Sequence, residues 1–331
     1  MPRQNSTEPG VSVPESLIAV VVLAFNNPDD TVRCLESIAH LADDGFLTIV
    51  VDNGSEPAAI GRVRSWATGE WHRGDVRHIG HAGTADLHRN DLALVELPLN
   101  FGYAGGNNAG IRLALANDCA AVWILNNDTV VAVDALSRLR ESLAANSSAG
   151  VIGACLLDDG PSERVQCLGG GRYDWWLTRS RPTAAGLTPE LIARGGDFPI
   201  DFVSGASMLV PADTFRSVGL LDERFFLYCE EVDYAERCRE AGRPLAVSRA
   251  AIVRHRLGGT IGSSRRLDRR SALSAYHAAR SAILLVRRHR PLLVPVAAAV
   301  RLGFALLLVL KGHRALARAT IAGVRSGLTW A

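Results

Sequence analysis

Leu17-Ile18-Ala19-Val20-Val21-Val22-Leu23-Ala24, followed by Phe25-Asn26-Asn27-Pro28-Asp29-Asp30, decides the fold class. An apolar, β-prone run with no polar break suits a strand buried on both faces, as in a parallel sheet. Pro28 and the two aspartates then open a helix, with Val32, Leu35, Ile38 and Leu41 at helical spacing. A second buried strand, Leu47 to Val51, ends in the turn-forming Asp52-Asn53-Gly54-Ser55. Residues 69–91, rich in Gly, His, Asp and Arg and without periodicity, read as a surface insertion. Beyond them the pattern predicts a strand Leu92 to Leu97, a Gly/Asn-rich turn at 100–110, a helix through Leu115 and a strand Ala121 to Leu125. This alternation predicts an α/β fold with a doubly wound, mostly parallel central sheet flanked by helices. Such sheets bind ligands at the carboxyl ends of their strands, where Asn26-Asn27, Asp52-Asn53 and Asn126-Asn127-Asp128 all fall.

The second half continues with a strand from Val151 to Leu156 and a Gly- and Trp-containing stretch through Arg181. Phe202 to Val210 reads as one strand with a small-residue interruption, and Pro211 and Asp213 start a short helix. Phe225 to Tyr228 leads into an acidic helix, Glu230 to Ala241, and a strand from Leu245 ends at His255. From Ala272 onward basic and apolar blocks alternate at helical length. Leu292 to Leu310 nearly reaches spanning length but carries Arg301 in its middle and basic residues at both ends. That suits a helix lying on a membrane surface better than one crossing it; the alternative is a helical hairpin packed on the domain. The expected organisation is a disordered lead at 1–16, a main domain at 17–265 with the insertion at 69–91, and a basic, apolar helical region at 266–331.

The chain has 331 residues, 48% hydrophobic and 21% charged, enough to bury a large core. A net charge of +2 argues against nucleic acid as a partner. Lys311 is the only lysine among 36 basic residues. The six cysteines form no CxxC pair, which argues against zinc and for reduced core thiols. The apolar run Leu17 to Phe25 is too short for a signal peptide and lacks a cleavage-like end, so the domain is expected in the cytoplasm.

Asn126-Asn127-Asp128 leaves a buried strand, and a carboxylate there suits a hard divalent cation bridging two phosphates; alone it is an Asx turn. Glu230-Glu231-Val232-Asp233 concentrates acids at a helix start. Glu230, Asp233 and Arg237 share a helical face, with Glu231 about 100° away. One acid can therefore be pinned by Arg237 while another serves as a general base, with Phe225-Phe226-Leu227-Tyr228 as apolar walls. His255 completes a metal site with Asp128 only if the fold brings them together. Asn27, Asn53 and Asn127, with Gly102, Gly105 and Asn107 of the run Asn100 to Gly110, are the candidates to face a phosphate or sugar ligand. The glycines of that run do not spell GxGxxG and do not follow the first strand, which demotes a nicotinamide-dependent oxidoreductase.

Taken in order, Val22 to Asn27, Val50 to Ser55, Asn100 to Gly110, Leu125 to Thr129, Ser204 to Val210, Phe225 to Arg237 and Ala251 to His255 resemble glycosyltransferase family 2. That is the inverting group with the GT-A fold, and the likeness is greatest to bacterial rhamnosyltransferase-like enzymes. Tyr276-His277-Ala278-Ala279-Arg280 is similar to the same subgroup. The resemblance implies that Phe25 and Asp52 contact the nucleotide and that Gly205 and Ala206 line the sugar site. Asp128, with Asn126 and His255, would hold Mg2+ or Mn2+. Asn126 stands where the family has the first aspartate of its metal motif. Glu231 would be the catalytic base, with Glu230 as the alternative. The implied partners are a dTDP- or UDP-linked sugar donor, a glycan or lipid-linked glycan acceptor of cell-envelope assembly, and the inner face of the cytoplasmic membrane. A catalytically weak glycan-binding protein of the same fold is the other open reading.

Overall fold

The computed structural model describes residues 16–80, 83–160, 163–256 and 270–329. The lead expected at 1–16, Ser16 apart, and the boundary expected at 265–266 lie outside these residues. The first half runs β1 (Ile18–Ala24), α1 (Pro28–Ala39), β2 (Phe46–Asp52), α2 (Pro57–Glu70), β3 (Val76–Gly80), β4 (Leu92–Glu96), α3 (Gly102–Ala116), β5 (Ala121–Asn126), β6 (Thr129–Val131), α4 (Ala135–Ala145) and β7 (Val151–Asp158). The second half holds β8 (Val165–Leu168), β9 (Gly170–Asp174), β10 (Arg179–Pro182), α5 (Pro189–Ala193), β11 (Phe202–Val203), β12 (Ser207–Pro211), α6 (Ala212–Val218), α7 (Glu230–Glu240) and β13 (Leu245–His255). Three helices close it: α8 (Ala272–His289), α9 (Val294–Leu310) and α10 (Arg314–Thr329).

The main sheet has the order β3-β4-β2-β1-β5-β12-β7-β13-β6, with β8 on β7. From β3 to β5 every pair is parallel. β12 enters antiparallel between β5 and β7, and β13 runs parallel to β7. The unbroken apolar runs are explained by burial on both faces. Ile18, Val20 and Val22 enter one core layer and Ala19 and Val21 the other. β2 splits the same way, with Phe46 and Val50 against Leu47, Ile49 and Val51. Each such aliphatic side chain contributes about 1.5–3 kcal/mol by leaving water. All six cysteines are buried and reduced.

Four elements differ from the sequence expectations. The 69–91 segment is not a featureless insertion: it carries β3, which pairs with β4 as the sheet's edge strand, and its Trp71, Ile79 and Leu87 are buried. α2 has no counterpart in those expectations; its buried stripe is only Ile60, Val63 and Ala67, and two glycines blur the pattern. The 100–110 run is helix rather than turn. Gly110 in it lets α3 lie close against β1, where a Cβ would stand 2.6 Å from Val21. Phe202 to Val210 is two strands: β11 joins β9 in a separate three-stranded sheet, while β12 belongs to the main one.

α8 and α10 pack along each other, Gly323 approaching the Tyr276 carbonyl so closely that a Cβ would stand 2.2 Å away. α9 is largely uncovered, with Leu302, Leu306, Leu307 and Leu310 exposed. The segment Pro291–Leu310 is the one helix among the described residues long and apolar enough to cross a membrane by length and composition.

Candidate active site

Two strand ends are laced together at the β1–β2 edge. Asn26 and Asn27 adopt left-handed backbone (φ 52° and 53°). The Asn26 amide N–H donates to Ser55 Oγ at 2.7 Å, and its side-chain oxygen accepts from the Glu56 N–H at 3.0 Å. Asn27 Nδ2 donates to Asp30 at 2.5 Å. Phe25 is half-buried beside them. Asp52 Oδ2 accepts from the Ser55 N–H at 3.2 Å, whereas its buried Oδ1 has no partner. Burial pushes this carboxyl above its ordinary value against the hydrogen bonds from Ser55. An orphaned acceptor at a sheet's carboxyl edge is suited to a ligand donor.

The second cluster forms because β6 and β13 pair antiparallel, with Thr129 opposite His255. Asp128, one residue before Thr129, is thereby brought to His255, with 3.2 Å between Oδ1 and Nε2. The Arg256 N–H extends the ladder to the Asp128 carbonyl at 2.9 Å. Gln166 Nε2 donates to Asp158 Oδ1 and to the His255 carbonyl, each at 3.2 Å, which orients its amide. Gln166 Oε1 must then accept from His255 Nδ1, 2.7 Å away. A neutral imidazole so held presents the lone pair of Nε2 to a carboxylate oxygen. Two acceptors face each other, and either a proton or a cation has to sit between them. Among the described residues no third His, Cys, Asp or Glu completes a metal cluster. Two protein ligands with the remaining positions left to phosphate and water is a pattern hard divalent ions accept. Gln166 is the orienting group that sequence reasoning missed, and no motif marks it.

The third cluster is the acidic turn of α7. Asp233 is fully buried and pinned, as the helical spacing suggests, by Arg237 Nε at 2.8 Å, and also by His289 Nε2 at 2.8 Å and Arg288 Nε at 3.3 Å. Glu230 and Glu231 point elsewhere, and each keeps one buried oxygen without a partner. Burial pushes Glu231 up to about 7, against backbone hydrogen bonds at its own position and Cys229. Glu230 is raised well above the ordinary range, first by burial and then by the charge of Glu231. A carboxyl near neutrality suits a general base at neutral pH. Before α7, Tyr228 and Cys229 both take left-handed backbone, φ 68° each. α8 holds that turn: Tyr228 Oη meets Ser274 Oγ at 2.7 Å, Ser281 Oγ donates to the Leu227 carbonyl at 2.8 Å, and Arg280 donates to the Arg224 carbonyl at 2.7 Å.

The Asn100–Gly110 run clamps this loop. Asn108 exchanges hydrogen bonds with the Leu221 backbone at 2.9 and 3.1 Å, and the Tyr103 N–H donates to the Phe226 carbonyl at 2.7 Å. Tyr103 Oη donates to the Gly205 carbonyl at 2.5 Å; burial, then the charges of Glu230 and Glu231, raise its pKa well above the ordinary value. Ala206 accepts from the Asn126 N–H at 3.2 Å. The acids are thus linked through Tyr103, Gly205 and Ala206 to the strand end that carries Asp128. Several donor-facing candidates have their amides engaged by the fold. Asn53 holds the 100–102 turn through Phe101 N–H, Asn100 and Gly102 at 3.0 Å each. Asn107 Nδ2 donates to the Tyr103 carbonyl and Asn127 Nδ2 to Thr31 Oγ1, both at 2.9 Å. At Gly105 a Cβ would stand 2.8 Å from Phe101 Cβ. Gly102, at φ +76°, passes so near Phe226 that a Cβ would stand 2.3 Å from its carbonyl oxygen. Gly102→Ala is therefore expected to cost roughly 2–4 kcal/mol through left-handed backbone and overpacking, read as a lower midpoint in chemical denaturation.

A mostly parallel sheet with polar strand ends at its carboxyl edge and an acidic helix in the same domain defines a GT-A glycosyltransferase fold. Residues 19–166 match the model of glycosyl transferase family 2. A low-salt glycan biosynthesis hexosyltransferase of Haloferax volcanii is 24% identical over 67% of this chain, the match spanning 61% of that protein's length. An N-acetylglucosaminyl-diphospho-decaprenol L-rhamnosyltransferase of Mycobacterium tuberculosis is 28% identical over 60% of this chain and 68% of its own. In three dimensions, a mannosyltransferase of Pyrobaculum calidifontis, solved with GDP-Man and Mn2+, superposes with a TM-score of 0.53. It shares 15% identity, over 96% of this chain and 88% of that one.

Proposed function

We propose that this chain is an inverting glycosyltransferase that moves a sugar, rhamnose in the first instance, from a nucleoside-diphosphate donor to a hydroxyl of a lipid-linked glycan at the inner membrane face. The observation that carries this reading is Glu231, held in the first turn of α7 with a buried oxygen that has no partner, its carboxyl pushed up to about 7 by burial. Glu231 takes the proton of the acceptor hydroxyl. The acceptor oxygen forms its bond to the anomeric carbon as the bond from that carbon to the diphosphate oxygen breaks, in one displacement with inversion. The leaving group departs as the nucleoside diphosphate. Asp52 Oδ1, without a partner, would accept a hydrogen bond from the nucleoside. Asp128 and His255 would hold Mg2+ or Mn2+, which supplies charge stabilisation for the leaving diphosphate. The exposed apolar side of α9 rests on lipid, in keeping with an acceptor of that kind.

The test is turnover of dTDP-rhamnose, UDP-N-acetylglucosamine and GDP-mannose with a short-chain lipid-diphosphate sugar as acceptor. One donor is expected to be consumed, with release of its nucleoside diphosphate and an inverted anomeric linkage by NMR. A retained linkage sinks the displacement mechanism, and no turnover of any donor sinks the reading.

A further inference from the structure

Next to Glu231 lies a cavity of about 290 Å³, lined also by Thr178, Arg179, Tyr228, Arg270 and Arg301 among others. Among the described lining residues Glu231 is the only acid, against three arginines. Thr178 Oγ1, Arg301 Nε and Glu231 Oε2 are buried without hydrogen-bond partners. Two of those orphans are donors, and one carries a positive charge. Arg270 forms no ion pair among the described residues; burial holds its guanidinium below the ordinary value, and the charge of Arg301 adds to that. Burying cationic groups side by side is costly unless an anion joins them.

Arg301 also explains the one charge inside α9. It lies on the same side of the helix as buried Ala297, Ala305 and Leu308, and donates to the Thr178 carbonyl. The opposite side carries exposed Leu302, Leu306 and Leu310. A group bound at Arg301 is therefore about one helix diameter, ~10 Å, from the apolar surface.

From this placement we propose that Arg270 and Arg301, with Arg179 at the rim, bind the phosphate or diphosphate of a lipid-borne acceptor, seating its sugar hydroxyl at Glu231 while its chain follows α9. This deepens the glycosyltransferase reading and rests on it. Arg301 and Arg270 would be binding residues, and α9 would be part of the acceptor site as well as an anchor.

The experiment measures equilibrium binding to the full chain in detergent of farnesyl diphosphate, farnesol, UDP with Mn2+, and phosphatidylglycerol vesicles. Farnesyl diphosphate is expected to bind at least about tenfold more tightly than farnesol. Arg270→Gln and Arg301→Gln should each weaken it about tenfold, the loss of a charge-assisted contact, with UDP binding retained. Arg301→Lys should keep most of the affinity, which separates lost charge from lost packing. Should Arg301→Gln fail to fold, Arg270→Gln, just before α8, carries the test alone. Equal binding of farnesol and farnesyl diphosphate overturns the proposal and leaves the transferase reading standing, because UDP binding is measured separately. Parallel loss of UDP binding would assign the arginines to the donor and overturn it. Loss confined to phosphatidylglycerol vesicles would assign them to bulk lipid headgroups, with the same consequence.

Discussion

Glu231→Gln is expected to lower sugar transfer by about a hundred- to ten-thousand-fold, the usual share of a positioned general base. Glutamine keeps the size of the side chain and its place on α7, and removes only the ability to take a proton. Activity of the unsubstituted protein should rise with pH through a midpoint near 7, because Glu231 is pushed up to about 7 and must be ionised to act. Glu230→Gln should retain most activity: Glu230 is raised well above the ordinary range by burial and by its neighbour, so it holds its proton where Glu231 has lost one. The two protons belong to one coupled pair, so the acidic limb of the profile reports the pair's first ionisation. The same shift has a consequence for stability. The folded chain holds Glu231's proton up to about 7 and the unfolded chain only to about 4.5, so folding loses stability as pH rises through that window. Glu231→Gln removes the loss and should stabilise the protein above pH 7 by up to about 3 kcal/mol. A variant both inactive and more stable is hard to explain by misfolding. Full activity in Glu231→Gln would remove it as the base.

How much of this was readable from the residues depends on where the determining contact lies. β1 and β2 were legible because burial on both faces leaves an unbroken apolar signature, as in Ala19-Val20-Val21-Val22. α7 was legible down to its ion pair, since Asp233 and Arg237 are one helical turn apart and the pairing is local. The edge strand β3 was not, because Val76, Arg77, His78 and Gly80 face solvent or are half-covered and only Ile79 is buried. α3 was misjudged because its glycines and asparagines serve packing. Asn108 and Gly102 are chosen for the loop at 221–229, more than a hundred residues away, and no local rule contains that contact.

The candidate site divides the same way. Asp128 and His255 each stand out at a strand end, but their meeting depends on the register of β6 against β13. Gln166, which orients the histidine, lies on β8 with no motif around it. Arg301 reads as an interruption of an apolar helix until the fold turns it toward Thr178. In each case the residue was visible and its partner was not, because partners that come from different layers leave no periodicity between them.

Asp128→Asn is expected to reduce transfer by about a hundred- to a thousandfold and to abolish the metal dependence of UDP binding. Asparagine fits the same space and can still accept a hydrogen bond, but a neutral amide is a poor ligand for a hard divalent ion. With the unsubstituted protein, UDP should bind more tightly in Mn2+ than in EDTA. For Asp128→Asn the two titrations should coincide, which separates a metal role from a general loss of activity. Asn126 provides the opposite sign. It is half-buried at the end of β5 with its N–H tied to Ala206, so Asn126→Asp adds a carboxylate to the same strand end and should tighten Mn2+ binding. The rival account is that the 3.2 Å approach of Asp128 to His255 is an ordinary ion pair, with the imidazole protonated. On that account Asp128→Asn changes stability with pH, EDTA changes nothing, and Asn126→Asp leaves Mn2+ affinity where it was. Gln166 takes the Nδ1–H on either account, which fixes Nε2 as the atom facing Asp128, so the Mn2+ and EDTA titrations decide whether a proton or a metal ion lies between them.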